Sequence, residues 1–259
     1  MVAKIRGTLF KDARACRMFW EAPPMQSLFR CFVNVAVAVL LSACAVAGSS
    51  GMDGRYQLPM YGGIDREADP GLRAAEDKFS AELILRYGGR QAAGRNLVDQ
   101  GIRHFQAGDY TMAMKSFNQA WLLDPNNPDP YWGFAMVSDD QGKSCAAKAM
   151  IDKAVSLNLS RPAALADAGR IYTYCAVSDA SLSAIDRRQY FEQSEEFYSR
   201  AVSMAPSDPY LFGSWAIAHY WQGHYADAWK MINKQRALGG LPGGNFLSML
   251  RAKMAEPQH

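Results

Sequence analysis

Five cysteines and four histidines are the residues of this 259-residue chain with the most chemistry open to them. No Cys or His pair has the spacing of a zinc site. His219 and His224 are five residues apart, so one helix would point them to different faces. The run Gly239-Gly240-Leu241-Pro242-Gly243-Gly244 lacks the Lys-Ser/Thr of a phosphate-binding loop. No Gly-x-Ser-x-Gly turn occurs to raise a nucleophilic serine. Asp139-Asp140 read as acids facing solvent or a partner. The sequence therefore offers no catalytic constellation, no metal ligand set and no cofactor motif, and an enzyme is not expected. The aromatic residues are the remaining chemistry, and their use depends on the elements that carry them.

Those elements repeat. Gly101, Ala135 and Gly169 are 34 residues apart, and Ala216 follows 47 after Gly169, one period plus 13 residues. After Gly101 come Ala113, Phe117, Ala120 and Pro125; after Ala135 come Ala147, Ile151, Ala154 and Leu159, at the same steps. With the extra 13 residues removed, Gly169 is followed by Ser194, Tyr198, Ala201 and Pro206. Ala216 is followed by Ala228 and Ile232, with Gln235 where Ala is expected. Small residues at these points let two antiparallel helices approach closely, and steps of three and four keep one face apolar. The pattern resembles the tetratricopeptide repeat (TPR), a helix-turn-helix unit. The resemblance implies an all-α, right-handed superhelical array of four repeats over residues 94–241. Such arrays bind other proteins and rarely catalyse. His104 and His219 occupy a slot where the repeat has an aromatic, so both are expected in the core.

Terminal repeats need covers. Asp69-Pro70 resembles a helix start, and Leu72, Ala75, Phe79, Leu83 and Tyr87 follow at helical steps to Gly88-Gly89. Residues 69–93 are therefore expected to form an N-terminal capping helix. Residues 242–259, with Phe246, Met249, Leu250 and Met254, are expected to form a C-terminal one. Residues 59–66 are rich in turn formers and aromatics, and packing on the first helices is the simplest reading.

By the same resemblance, the first helix of each repeat lines a concave groove. Its open face would carry Phe105, Trp132, Met136, Asp140, Arg170, Tyr174, Ile217, Tyr220 and Trp221. Aromatics and Arg are the usual anchors of interfaces, so this groove is the expected partner-binding site. It lacks the Lys/Arg clamp that some repeat proteins use on a partner's terminal carboxylate.

The N-terminal region speaks of location. Arg30 precedes the apolar stretch 31–41, which is too short to span a bilayer and suits a signal-peptide core. It ends in Leu41-Ser42-Ala43-Cys44, which resembles the lipobox of bacterial lipoproteins. The resemblance implies cleavage before Cys44 and lipidation of its thiol; a plain secretory signal or an uncleaved anchor is the alternative. A signal beginning at Met25 has the correct length, which makes Met25 the expected start. Ala45 in place of Asp favours the outer membrane, and residues 44–68 read as a tether. Residues 1–43 hold six basic and two acidic residues, so the rest of the chain carries −1 of the total +3. That balance gives no reason to expect nucleic acid as a partner, and no small-molecule substrate is implied.

Cys145 and Cys175 remain, an even pair in an oxidising compartment. In a stacked array Cys145 starts the second helix of repeat two and Cys175 ends the first helix of repeat three, so the two ends meet. A disulfide is expected; two buried free thiols are the alternative. The 13 extra residues, 176–188, are expected to lengthen the turn inside repeat three and project from one edge. Together these features predict a lipid-anchored, periplasm-facing adaptor holding other envelope proteins, in pilus, secretion, outer-membrane assembly or peptidoglycan systems. An immunity lipoprotein that neutralises an envelope-targeting toxin is the alternative.

Overall fold

The computed structural model describes residues 54–66 and 68–258. The signal region, Cys44 and the first part of the tether lie outside the described residues. Every regular element among the described residues is helical. The α-helices are α1 (Pro70–Tyr87), α2 (Arg90–Gln106), α3 (Tyr110–Leu123), α4 (Pro128–Asp140), α5 (Ser144–Ser156), α6 (Pro162–Ser178), α7 (Ala184–Met204), α8 (Pro209–Gln222), α9 (Tyr225–Ala237) and α10 (Gly244–Arg251). Helices α2/α3, α4/α5, α6/α7 and α8/α9 pack as consecutive hairpins.

Local chemistry sets the helix starts. Pro70, Pro128, Pro162 and Pro209 each open a helix, where a missing N–H costs nothing. Asp69, Asn127 and Asp208 cap three of these starts by accepting from backbone N–H groups. Gly88 and Gly223 end α1 and α8 in the left-handed conformation.

The repeating small and apolar residues form the core. Ala113, Phe117, Ala120, Ala135, Ala147, Ile151, Ala154, Tyr198, Ala201, Ala216 and Ala228 are all fully buried. Phe117 sits between two glycines of successive hairpins. A Cβ on either Gly101 or Gly133 would lie 2.4 Å from its ring, far inside contact distance. Gly169 makes the same room for Tyr198, at 2.6 Å. The small residues are thus required by the rings that fill the gaps between units.

Asn118 fixes the segment before α1. It is wholly buried, donates to the carbonyls of Tyr56 and Leu58 at 2.9 Å, and accepts from the Tyr61 N–H at 3.2 Å. Met60 and Tyr61 have φ of 52° and 53°, a left-handed conformation unusual for such residues, and these bonds hold them there. Arg66 then lies 4.3 Å over the Trp121 ring. The segment 54–66 is held to α3.

The 13 extra residues do not form the projecting turn expected from the sequence. They extend both helices of the third hairpin, so α6 has 17 residues, α7 has 21, and only residues 179–183 connect them. Ser183 and Asp186 are the reason. The Asp186 N–H bonds the Ser183 hydroxyl at 3.1 Å and that hydroxyl donates to the Asp186 carboxylate at 2.7 Å, which nucleates α7 early. Arg187 closes the connection by donating to the carbonyls of Ala176 and Asp179.

Cys145, in the first turn of α5, and Cys175, in the last turn of α6, are bridged with their Cα atoms 4.7 Å apart. The bridge spans 30 residues and ties the second hairpin to the third.

Candidate partner-binding site

The residues expected on the open face of the groove divide into two groups. Trp132, Met136, Arg170 and Tyr174 are only 3–5% exposed, so they do not form the broad open face expected from the sequence. They are buried because the first helices of successive hairpins are joined by a polar network. Arg170 is its centre. Its guanidinium meets Asp167 at 2.8 Å and Asp139 at 3.3 Å. Trp132 Nε1 donates to Asp167 at 2.9 Å, the Tyr210 hydroxyl to Asp167 at 2.6 Å, and the Ser144 hydroxyl to Asp139 at 2.7 Å. Donors and acceptors from α4, α5, α6 and α8 are thereby satisfied in one place.

Asp139 therefore does not face solvent or a partner, contrary to the reading of the Asp139-Asp140 pair. Asp140 is half-buried and accepts from the Tyr110 hydroxyl, while Phe105 packs on Tyr110 with ring centroids 5.8 Å apart. Burial works against the charge on Arg170, but Asp167, Tyr210 and Asp139 outweigh it and hold the guanidinium protonated well above its ordinary value. Burial, then the neighbouring Asp167, pushes the Tyr210 hydroxyl far up, so it stays a donor.

The second group sits at the end of the array. Tyr220 meets Trp221, Tyr225 and Phe246 with ring centroids 5.5, 5.6 and 5.8 Å away. Trp221 also meets Tyr174 edge-on at 6.1 Å. Phe246 of α10 thus packs on the aromatic end of α8, and Phe246 and Leu250 are both buried. Trp221 Nε1 is buried without an acceptor.

A cleft of about 130 Å³ lies between α6, α8, α9 and the 239–244 segment. Arg170, Tyr174 and Ile217 of the expected groove reach it. Tyr210, Ser214, Ile232, Gln235, Leu241, Pro242 and Phe246 complete its walls. Tyr210 is 42% exposed even though its hydroxyl is locked in the network, so its ring forms a wall. Leu241 is 76% exposed at the lip. The 239–244 segment is closely packed at its start: a Cβ on Gly240 would lie 2.6 Å from Pro209 Cβ and 3.0 Å from the Gln235 carbonyl. Gln235 is the least expected wall residue. Its Oε1 is buried and has no hydrogen-bond donor.

Sequence patterns could have revealed part of this. Asp167 and Arg170 are three apart on one helix, the spacing of an ion pair. Tyr210 carries no local signal, since its partners lie 40 and 43 residues away. Gln235 was visible as a break in the repeat, where the other three units have Ala.

His219 is 7% exposed and stacks on Trp215 at 5.7 Å, in keeping with a core position. Its ring nevertheless lies 6.2 Å from that of His224, contrary to the reading that five residues would separate them. Gly223 reverses the chain, and the His224 N–H bonds the His219 carbonyl at 2.8 Å. Glu195 lies 3.6 Å from His219 Nδ1. Among the described residues no group of His, Cys, Asp or Glu is placed to hold a metal ion, and no helix is long and apolar enough to cross a membrane.

Comparison with known proteins places this architecture. No protein-family model matches the sequence, and no curated protein does. Among solved structures, a thermophilic TPR protein of Thermus thermophilus matches with a TM-score of 0.52 at 17% identity, over 62% of this chain and 87% of that one. The fold is TPR-like. The likeness extends to the fold alone, and the network and cleft belong to the description of this chain.

Proposed function

We propose that this chain is a lipid-anchored adaptor of the bacterial envelope that holds other envelope proteins through the inner face of its last two hairpins. The observation that carries the reading is the cleft itself. Arg170, Tyr174 and Ile217, selected as groove residues from their repeat positions, converge on an apolar hollow edged by an exposed leucine. Exposed apolar surface around a pocket is the usual mark of a protein-binding site. The lipobox-like Leu41-Ser42-Ala43-Cys44 supports the anchor, and Ala45 in place of Asp favours the outer membrane, facing the periplasm. The Cys145–Cys175 bridge suits an oxidising compartment.

Two experiments test this. Incorporation of labelled palmitate should occur in the natural chain and vanish in Cys44→Ala; equal labelling of both refutes the anchor. Partners captured from solubilised envelopes should be lost in an Ile217→Ser/Leu241→Asp variant of equal helicity; an unchanged set refutes the site.

A further inference from the structure

Helix α1 is covered on one side only. Of its 18 residues, Leu83 alone is buried. Phe79, Ile84 and Tyr87 are half-buried against the core of the array. Leu85 is 85% exposed, the most exposed large apolar side chain among the described residues. Ala74, Lys78 and Ala81 share its side of the helix and are exposed as well. Helices in folded chains owe most of their stability to the packing of an apolar face. A helix with one buried residue and an open leucine therefore lacks part of its cover.

Charge and chain length indicate what the cover is. The exposed charges of α1 and of the first residue of α2 are Arg73, Lys78, Arg86 and Arg90 against Asp77 and Glu82. Arg66 and Glu76 pair with each other at 3.2 Å and leave that balance unchanged. The excess of cations suits a surface that bears phosphates. A protein interface is centred on several large apolar anchors, and this side offers a single leucine. One apolar side chain among cations is instead the pattern of a helix that lies in the headgroup layer of a membrane.

The tether brings such a surface close. Arg55 and Tyr56, at the start of the described residues, line a hollow together with Leu72 and Phe79 of α1. The tether therefore joins the array at α1. Cys44 stands ten residues before Gly54. That length spans at most about 36 Å when fully extended. A lipidated Cys44 keeps the bilayer within this reach of α1, at an effective concentration that no freely diffusing partner matches.

We propose that the open side of α1 docks on the phospholipid surface that holds the anchor, with Leu85 entering the headgroup layer and Lys78, Arg86 and Arg90 meeting lipid phosphates. The assignment rests on the lipid-anchor reading above. It stands the stack of hairpins on its N-terminal end, with the fourth hairpin farthest from the membrane.

The test uses the chain purified with its anchor and reconstituted in vesicles of phosphatidylcholine and phosphatidylglycerol. Cys145 and Cys175 are bridged and an anchored Cys44 has no free thiol, so an added cysteine is the one that reacts. A fluorophore on Ala81→Cys, one turn from Leu85, reports quenching by a lipid spin-labelled just below its headgroup. The same fluorophore on Ser248→Cys, exposed on α10, is the reference. Position 81 should be quenched and position 248 should not. Adding Leu85→Asp should lower the docked-to-undocked ratio at position 81 at least about tenfold, the scale of a leucine side chain returned to water. Raising the salt concentration should lower the ratio in the natural chain, and do so less in Lys78→Gln/Arg86→Gln. Circular dichroism must give the same helicity for all variants.

Equal quenching at positions 81 and 248, or quenching at 81 that ignores Leu85→Asp, overturns the proposal. So does a photo-crosslinker at position 85 that captures protein rather than lipid in intact envelopes. A dimer sedimenting in detergent that Leu85→Asp dissolves also overturns it, because a second copy is then the cover. Absence of palmitate from the natural chain removes the anchor and the docking together. Palmitate present with position 81 unquenched removes the docking alone, and the anchor reading stands.

Discussion

At the scale of residues, Gly101, Gly133 and Gly169 matter for what they lack. The Phe117 ring fills the space where side chains of Gly101 and Gly133 would be, so the close approach leaves no room for even a methyl group. Gly133→Ala should therefore destabilise the chain by about 1–3 kcal/mol in urea unfolding, the usual cost of overpacking. Arg170 is balanced in the same strict way. Arg170→Met leaves Asp139 and Asp167 buried with their cation gone, and should cost about 3–5 kcal/mol. His219 supplies a pH dependence. Burial lowers its proton affinity, with Glu195 and Asp227 opposing and His224 and Lys230 adding to the shift. The unfolded chain then binds the proton more readily than the folded one. The contribution of neutral His219 is full above about pH 6.5 and is lost as pH falls below that toward the folded value. Urea midpoints measured at pH 8 and pH 5.5 should differ more for the natural chain than for His219→Gln. Equal differences would remove His219 from the account.

At the scale of elements, hairpins were legible because a 34-residue period and its small residues are local signals. The side chains facing inward were not. Which of them are open depends on how adjacent first helices slide past one another, and that is set by pairs such as Asp139–Arg170 and Tyr210–Asp167, 31 and 43 residues apart. Trp132 reads from sequence as an exposed anchor but spends its indole N–H on Asp167. The third hairpin teaches a related point. Its 13 extra residues look like a loop by composition, yet the Ser183–Asp186 cap turns most of them into helix. The Cys145–Cys175 bridge joins two hairpins, so its reduction should lower stability by about 3–4 kcal/mol, the range for a closed loop of this size. Thiol quantification of the unreduced, denatured chain should find neither of these cysteines free; finding both free would contradict the bridge.

At the scale of the molecule, the segment before α1 and the C-terminal residues are both packed on the array. The segment 54–66 is fastened to α3 through Asn118. The far end is closed by α10 and by Glu256, which pairs with Arg236 and Arg251. Their hydrogen bonds lower the proton affinity of the Glu256 carboxyl, Arg236 first. Between these ends the cleft stays open, and its use is the central claim. The most direct measurement compares envelope proteins captured by the natural chain and by the equally helical Ile217→Ser/Leu241→Asp variant, with Cys44 intact in both. The account predicts at least one partner that depends on the cleft and disappears with it. Capture of the same partners by both chains would contradict it.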